Sequence, residues 1–158
     1  MTDSRTDIYA ELCDRALGMR AMSYAPYSHF KVGAALLASS GKIYTGCNIE
    51  NAAYTPSNCA ERTAFFKAVS EGETFFTAIA IAGGPADGEV QYCAPCGVCR
   101  QVMAEFCTGN FEILLAKGKD DYRCHTLAEL LPERFGPENL KLQILRCYLP
   151  QQMAEKSK

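Results

Sequence analysis

A chain of 158 residues, 48% hydrophobic and 22% charged, is long enough to bury an ordinary globular core. Its net charge of −2 excludes the strongly basic balance that general nucleic-acid binding requires. No apolar run reaches transmembrane length, and the N-terminus "MTDSRTDIYAELCDRALGMR" lacks the apolar segment of a secretory signal.

Nine cysteines without an export signal point to a reducing, cytoplasmic setting, where clustered thiols bind metal or catalyse. Residues 1–150 read as a single domain and 151–158 as a polar tail.

The chain opens on a helix from about Asp7 to Ser23, with Tyr9, Leu12, Cys13 and Leu17 near helical spacing. "APYSHF" breaks it. "FKVGAALLA" then reads as a strand, "SSGK" as a turn, and "IYTGCNIE" as the returning strand of a hairpin. "CAERTAFFKAVSEG" is the clearest helix, with an apolar face of Ala60, Ala64, Phe65, Ala68 and Val69. Asn58 is its expected N-cap, and Gly72 its C-terminal cap.

"FFTAIAIAGG" reads as a buried strand. Pro95 introduces a helix over "CGVCRQVMAEFC", "FEILLA" is a further strand, and "TLAELL" a short helix with a Thr126/Glu129 capping box. "LKLQILRCYL" is strand-like or irregular. Strands joined through helices predict a three-layer α/β/α sandwich around a mixed, mostly parallel sheet of about five strands, with an antiparallel hairpin at one side.

"CAPCGVCR" holds Cys93, Cys96 and Cys99 in two overlapping Cys-x-x-Cys pairs. Cys96 and Cys99 fall on one side of a first helical turn, where the positive helix end favours thiolate. A zinc site and a thiol–disulfide pair can both use that geometry. Cys59 opens the other well-formed helix, and crossover helices start together at one edge of a parallel sheet. Three thiolates from two helix starts would make a zinc site with a fourth position open, the pattern of catalytic zinc. Arg62 and Arg100 are candidates to offset its negative charge. One difficulty is that Cys59 and Glu61, two apart in a regular helix, would point to opposite sides.

"CAE" followed by "PCGVCRQ" resembles the [His/Cys]-x-Glu … Pro-Cys-x-x-Cys signature of the zinc-dependent cytidine deaminase superfamily. The resemblance extends through "YAPYSHFKVGAAL" and "GCNIENAAY", and covers most of residues 24–107. The first ligand is Cys where other members have His, as in the short, free-nucleoside branch.

The resemblance implies the cytidine deaminase-like fold and one Zn2+ per subunit, held by Cys59, Cys96 and Cys99. It implies hydrolytic deamination of cytidine and deoxycytidine at carbon 4, with Glu61 as proton shuttle and Arg62 bonded to the thiolates. Phe30 would pack on the pyrimidine, Asn48 and Glu50 would bond the ribose hydroxyls, and Ala60 would line the substrate site. It further implies a homotetramer in which Ala52, Ala53, Tyr54 and Phe135 complete a neighbour's pocket. Cys93 reads as a bystander.

Three alternatives remain open on the sequence alone. They are a non-catalytic zinc or redox protein, a deaminase of another aminopyrimidine nucleoside such as a nucleoside antibiotic, and a polynucleotide deaminase. The acidic balance argues against the last, and no membrane partner is expected.

Overall fold

The computed structural model describes residues 4–140. The first helix, α1 (Ser4–Met19), continues into a single 3-10 turn at 20–22. Next come β1 (Phe30–Ala38), β2 (Ile43–Cys47), α2 (Ala60–Ser70), β3 (Phe76–Pro85) and α3 (Gly97–Phe106). β4 (Glu112–Ala116), β5 (Tyr122–Thr126) and α4 (Leu127–Leu130) follow. The strand-like reading of "LKLQILRCYL" and the tail at 151–158 lie outside the described residues, apart from Leu140, which closes a 3-10 turn.

One five-stranded sheet, ordered β2-β1-β3-β4-β5, carries the helices on its two faces. Strand alternation assigns each residue to a layer. On one face Ala35, Ala78, Ala80, Ala82 and Ala116 meet Leu12, Cys13 and Ala16 of α1. On the other, Leu36, Ile79, Ile81, Ile113 and Leu115 pack with Ala64, Phe65 and Ala68 of α2 and Met103 of α3. Alanines predominate on the α1 side, while larger branched residues predominate beneath α2 and α3. The approach is closest at Gly33, where a Cβ would stand 2.1 Å from the Ala16 carbonyl oxygen.

The α/β sandwich and the mixed sheet stand as expected, but the emphasis on parallel pairing is corrected. Among the described strands only β3–β4 is a parallel neighbour pair; β1–β2, β1–β3 and β4–β5 are antiparallel. β2 and β3 do run in the same direction, but β1 lies between them. The second cause is β5, a strand the sequence did not suggest because "YRCHT" is short, carries an arginine and has no fully buried residue. Those are the properties of a protected sheet edge.

Because β2, β3 and β4 share a direction, α2 and α3 start at the same end of the sheet. Gly46 fixes how close α2 comes. A Cβ there would stand 2.4 Å from the Ala60 carbonyl oxygen and 2.6 Å from the Ala64 nitrogen, so any side chain must push the helix start away. Gly72, at φ 94, ends the helix as expected. Gly46→Ala should destabilise the fold by about 1–3 kcal/mol through overpacking, read as a lower denaturant midpoint with unchanged slope.

Candidate active site

α2 and α3 begin alike. Cys59 and Cys96 are their N-cap residues, both in extended conformation (φ −76, ψ 156 and φ −67, ψ 167), and neither helix start receives a side-chain capping bond. Asn58 is therefore not the cap the sequence suggested. Its backbone exchanges hydrogen bonds with Ile49 (2.8 and 2.9 Å), and its amide donates to Thr63 Oγ1 at 3.1 Å. That bridge leaves capping to the next residue. Pro95 likewise lies before the N-cap rather than in the first helical turn, and is fully buried.

Two first-turn arrays of N–H groups thus stand beside sulfur instead of oxygen caps. The Sγ atoms of Cys59, Cys96 and Cys99 lie within 4.8 Å of one another, with Cys59–Cys96 at 3.8 Å and Cys96–Cys99 at 3.5 Å. Thiolates on a tetrahedral zinc with bonds of about 2.3 Å are separated by about 3.8 Å, so this donor set fits zinc.

Charge leads to the same ion. Hydrogen bonding from Cys99, aided by Arg62 and Cys96, holds the Cys59 thiol down at about 5. The bond to Cys59 and burial push Cys99 up, with the nearby Glu61 and Cys96 adding to the shift. The trio alone thus stabilises one thiolate at the expense of its neighbour; a divalent cation lets all of them ionise. Arg62 Nη2 donates to Cys59 Sγ at 3.7 Å and to the Ser57 carbonyl at 3.3 Å.

Glu61 is only 4% exposed, and burial raises its carboxyl to about 7. The objection that Cys59 and Glu61 should diverge disappears, because Cys59 is an extended N-cap and only Glu61 is helical. Ala60, fully buried, is the residue between them. Arg100 does not serve the thiolates. Its guanidinium donates to the carbonyls of Pro95 (2.8 Å) and Leu130 (2.5 Å), joining α3 to α4. Cys93 is outside the sulfur cluster. It packs over Gly83, where a Cβ would come within 2.8 Å of its Sγ, and burial raises its thiol to about 11.

Asn48 and Glu50 sit on the loop between β2 and α2. Asn48 is anchored on β1: Oδ1 accepts from Val32 N–H at 2.8 Å and from the Ser23 hydroxyl, and Nδ2 donates to the Phe30 carbonyl at 2.8 Å. Glu50 accepts from Tyr27 N–H, Ser28 N–H and the Ser28 hydroxyl. An open groove of about 290 Å³ is lined by Tyr27, Ser28, Glu50, Tyr54 and Ser57, and none of the three clustered cysteines lines it.

Phe30 opens β1, and its ring would be 3.2 Å from a Cβ at Gly83. Ala52, Ala53 and Tyr54 lie on the exposed 51–57 loop. Phe135 is exposed, and its carbonyl accepts from Gln101 on α3 at 2.9 Å. Ser23, Ser28 and Ser57 stand in no pattern that marks them individually, and their partners are brought to them by the fold.

Residues 7–115 match the family model described as the cytidine and deoxycytidylate deaminase zinc-binding region. A cytidine deaminase from Sporosarcina psychrophila is 54% identical over 121 residues, covering 77% of this chain and 86% of that protein. One from Halalkalibacterium halodurans is 46% identical, covering 82% and 95%. The crystal structure of cytidine deaminase from Burkholderia pseudomallei superposes with a TM-score of 0.71 at 46% identity, covering 79% of this chain and 97% of that one.

Cys59→Ala, Cys96→Ala and Cys99→Ala should each abolish stoichiometric zinc by elemental analysis, whereas Cys93→Ala should retain it. Chelation should lower the thermal midpoint of the parent protein and leave that of a ligand variant unmoved.

Proposed function

The chain belongs to the cytidine and deoxycytidylate deaminase zinc-binding family, and from that premise we propose how its own residues carry out the reaction. It is a zinc-dependent enzyme of cytidine deamination: cytidine and water give uridine and ammonia. When bound by Cys59, Cys96 and Cys99, zinc supplies the Lewis acidity that makes water nucleophilic near neutral pH.

Glu61 moves the protons. Its buried carboxyl, raised to about 7, can both accept and return a proton at neutrality. As carboxylate it takes the proton of the attacking water and delivers it to ring nitrogen 3, which makes carbon 4 electrophilic. The hydroxyl now on carbon 4 gives its own proton to the regenerated Glu61 carboxylate, which passes it to the amine on carbon 4, so that the carbon–nitrogen bond breaks and ammonia leaves. Arg62 offsets the thiolate charge, and Ala60, with no polar side chain, leaves its backbone beside the base.

Phe30 packs against the pyrimidine. Asn48 and Glu50 take the sugar hydroxyls, and deoxycytidine is accepted because one such pair can hold either sugar. The observation that carries the reading is a buried carboxyl at the second helical position after an N-cap thiolate, beside two further thiols.

The groove is open on one side. Tyr27 and Tyr54 on its lining, and Tyr24 and Ile49 on the same loops, are between 44 and 74% exposed, the kind of large apolar side chains that a contact between subunits would cover. A homotetramer covers this face, with Ala52, Ala53, Tyr54 and Phe135 completing a neighbouring subunit's pocket. The thiol-rich site works in a reducing compartment, the cytoplasm; among the described residues no helix is long and apolar enough to cross a membrane.

Glu61→Gln should keep zinc at the parent level while ammonia release from cytidine falls about 10²–10⁴-fold. Zinc lost together with activity would contradict the proton-shuttle role. Sedimentation of the parent protein should give four chains per particle.

A further inference from the structure

Glu50 is fixed from one short turn. Its Oε2 accepts from the N–H groups of Tyr27 at 2.9 Å and Ser28 at 3.2 Å, and its Oε1 from the Ser28 hydroxyl. The same hydroxyl accepts from the Phe30 N–H at 3.0 Å. One serine oxygen therefore joins the carboxylate at 50 to the backbone that carries the ring at 30. Between them His29 holds φ 54, a conformation rare outside glycine. It is kept there by its N–H on the Ala25 carbonyl (3.1 Å) and by Ala86 N–H on its own carbonyl (2.7 Å). The Ser28 bond is also the leading cause that holds the Glu50 carboxyl below its usual range, so it stays ionised.

We propose that Ser28 is a positioning residue for the sugar of the substrate, a role that rests on reading Glu50 as the acceptor of the sugar hydroxyls. A carboxylate offers about four lone-pair directions, two on each oxygen. Oε2 already holds two donors and Oε1 holds one, so Oε1, the oxygen Ser28 grips, has the remaining capacity for a hydroxyl. Both backbone donors act on Oε2 and leave the carboxylate free to turn about that atom. The Ser28 hydroxyl removes that freedom and keeps a constant spacing between the sugar acceptor and Phe30.

The test compares Ser28→Ala, Ser28→Thr and Glu50→Ala on cytidine and on 2′,3′-dideoxycytidine, which has neither ring hydroxyl. With Ser28→Ala, kcat/KM for cytidine should fall about tenfold, while that for the dideoxy substrate should change by less than about twofold. Ser28→Thr, which keeps the hydroxyl, should recover most of the cytidine activity. Equal losses on both substrates, no loss on cytidine, or failure of the threonine to rescue would each overturn the role. Glu50→Ala separates the two layers. A loss confined to cytidine supports the reading of Glu50, so a silent Ser28→Ala beside it overturns Ser28 alone. Equal losses from Glu50→Ala on both substrates would remove the premise itself.

Discussion

Two helices that start at the same sheet end, each with a cysteine at the N-cap position where an oxygen-bearing side chain is usual, set the terms for the rest of this molecule. Side-chain oxygen ordinarily satisfies the first-turn N–H groups of a helix. Here Cys59 and Cys96 occupy the cap positions and no side chain fills that role. The resulting positive potential stabilises thiolate, and Arg62 adds a full charge at 3.7 Å from Cys59. Negative sulfur, positive helix ends and guanidinium balance one another, so the donor set needs no acidic ligand. Glu61 is not among the three clustered donors, which leaves it free for the proton transfer proposed for it.

The sheet serves this arrangement through side-chain size. Alanines predominate beneath α1 and branched residues beneath α2 and α3. Gly46 lets the start of α2 rest directly on β2. Since close-packed interiors transmit displacement, added volume at position 46 would reach Cys59 and Glu61 through backbone, not through any contact with the reacting groups. Gly83 acts similarly at the end of β3, where it makes room for Phe30 and Cys93 at once.

Much of this was legible in the sequence. The hairpin, α2 and α3 follow from period and punctuation, the Thr126/Glu129 box formed as read, and the cysteine spacing pointed to the thiols that cluster. What escaped was either non-local or marginal in composition. β5 is a short charged edge that looks like loop, and it joins the sheet only because β4 offers a free side. Asn58 has the composition of a cap, but a bridge to Ile49 holds it one residue too early. Ser23 and Ser28 reach Asn48 and Glu50 across 25 and 22 residues, distances at which no periodicity carries information. Arg100, which directly follows Cys99, is claimed by two carbonyls whose location only the tertiary fold decides.

The sulfur cluster also ties together parts of the chain that are far apart in sequence. Cys96 and Cys99 stand at the opening of α3, whereas Cys59 is 37 residues from Cys96 and reaches it through the β2-β1-β3 order of the sheet and the seating of α2 over Gly46. The three donors meet only in the completed topology, so stoichiometric zinc reports on correct strand order as well as on ligand identity.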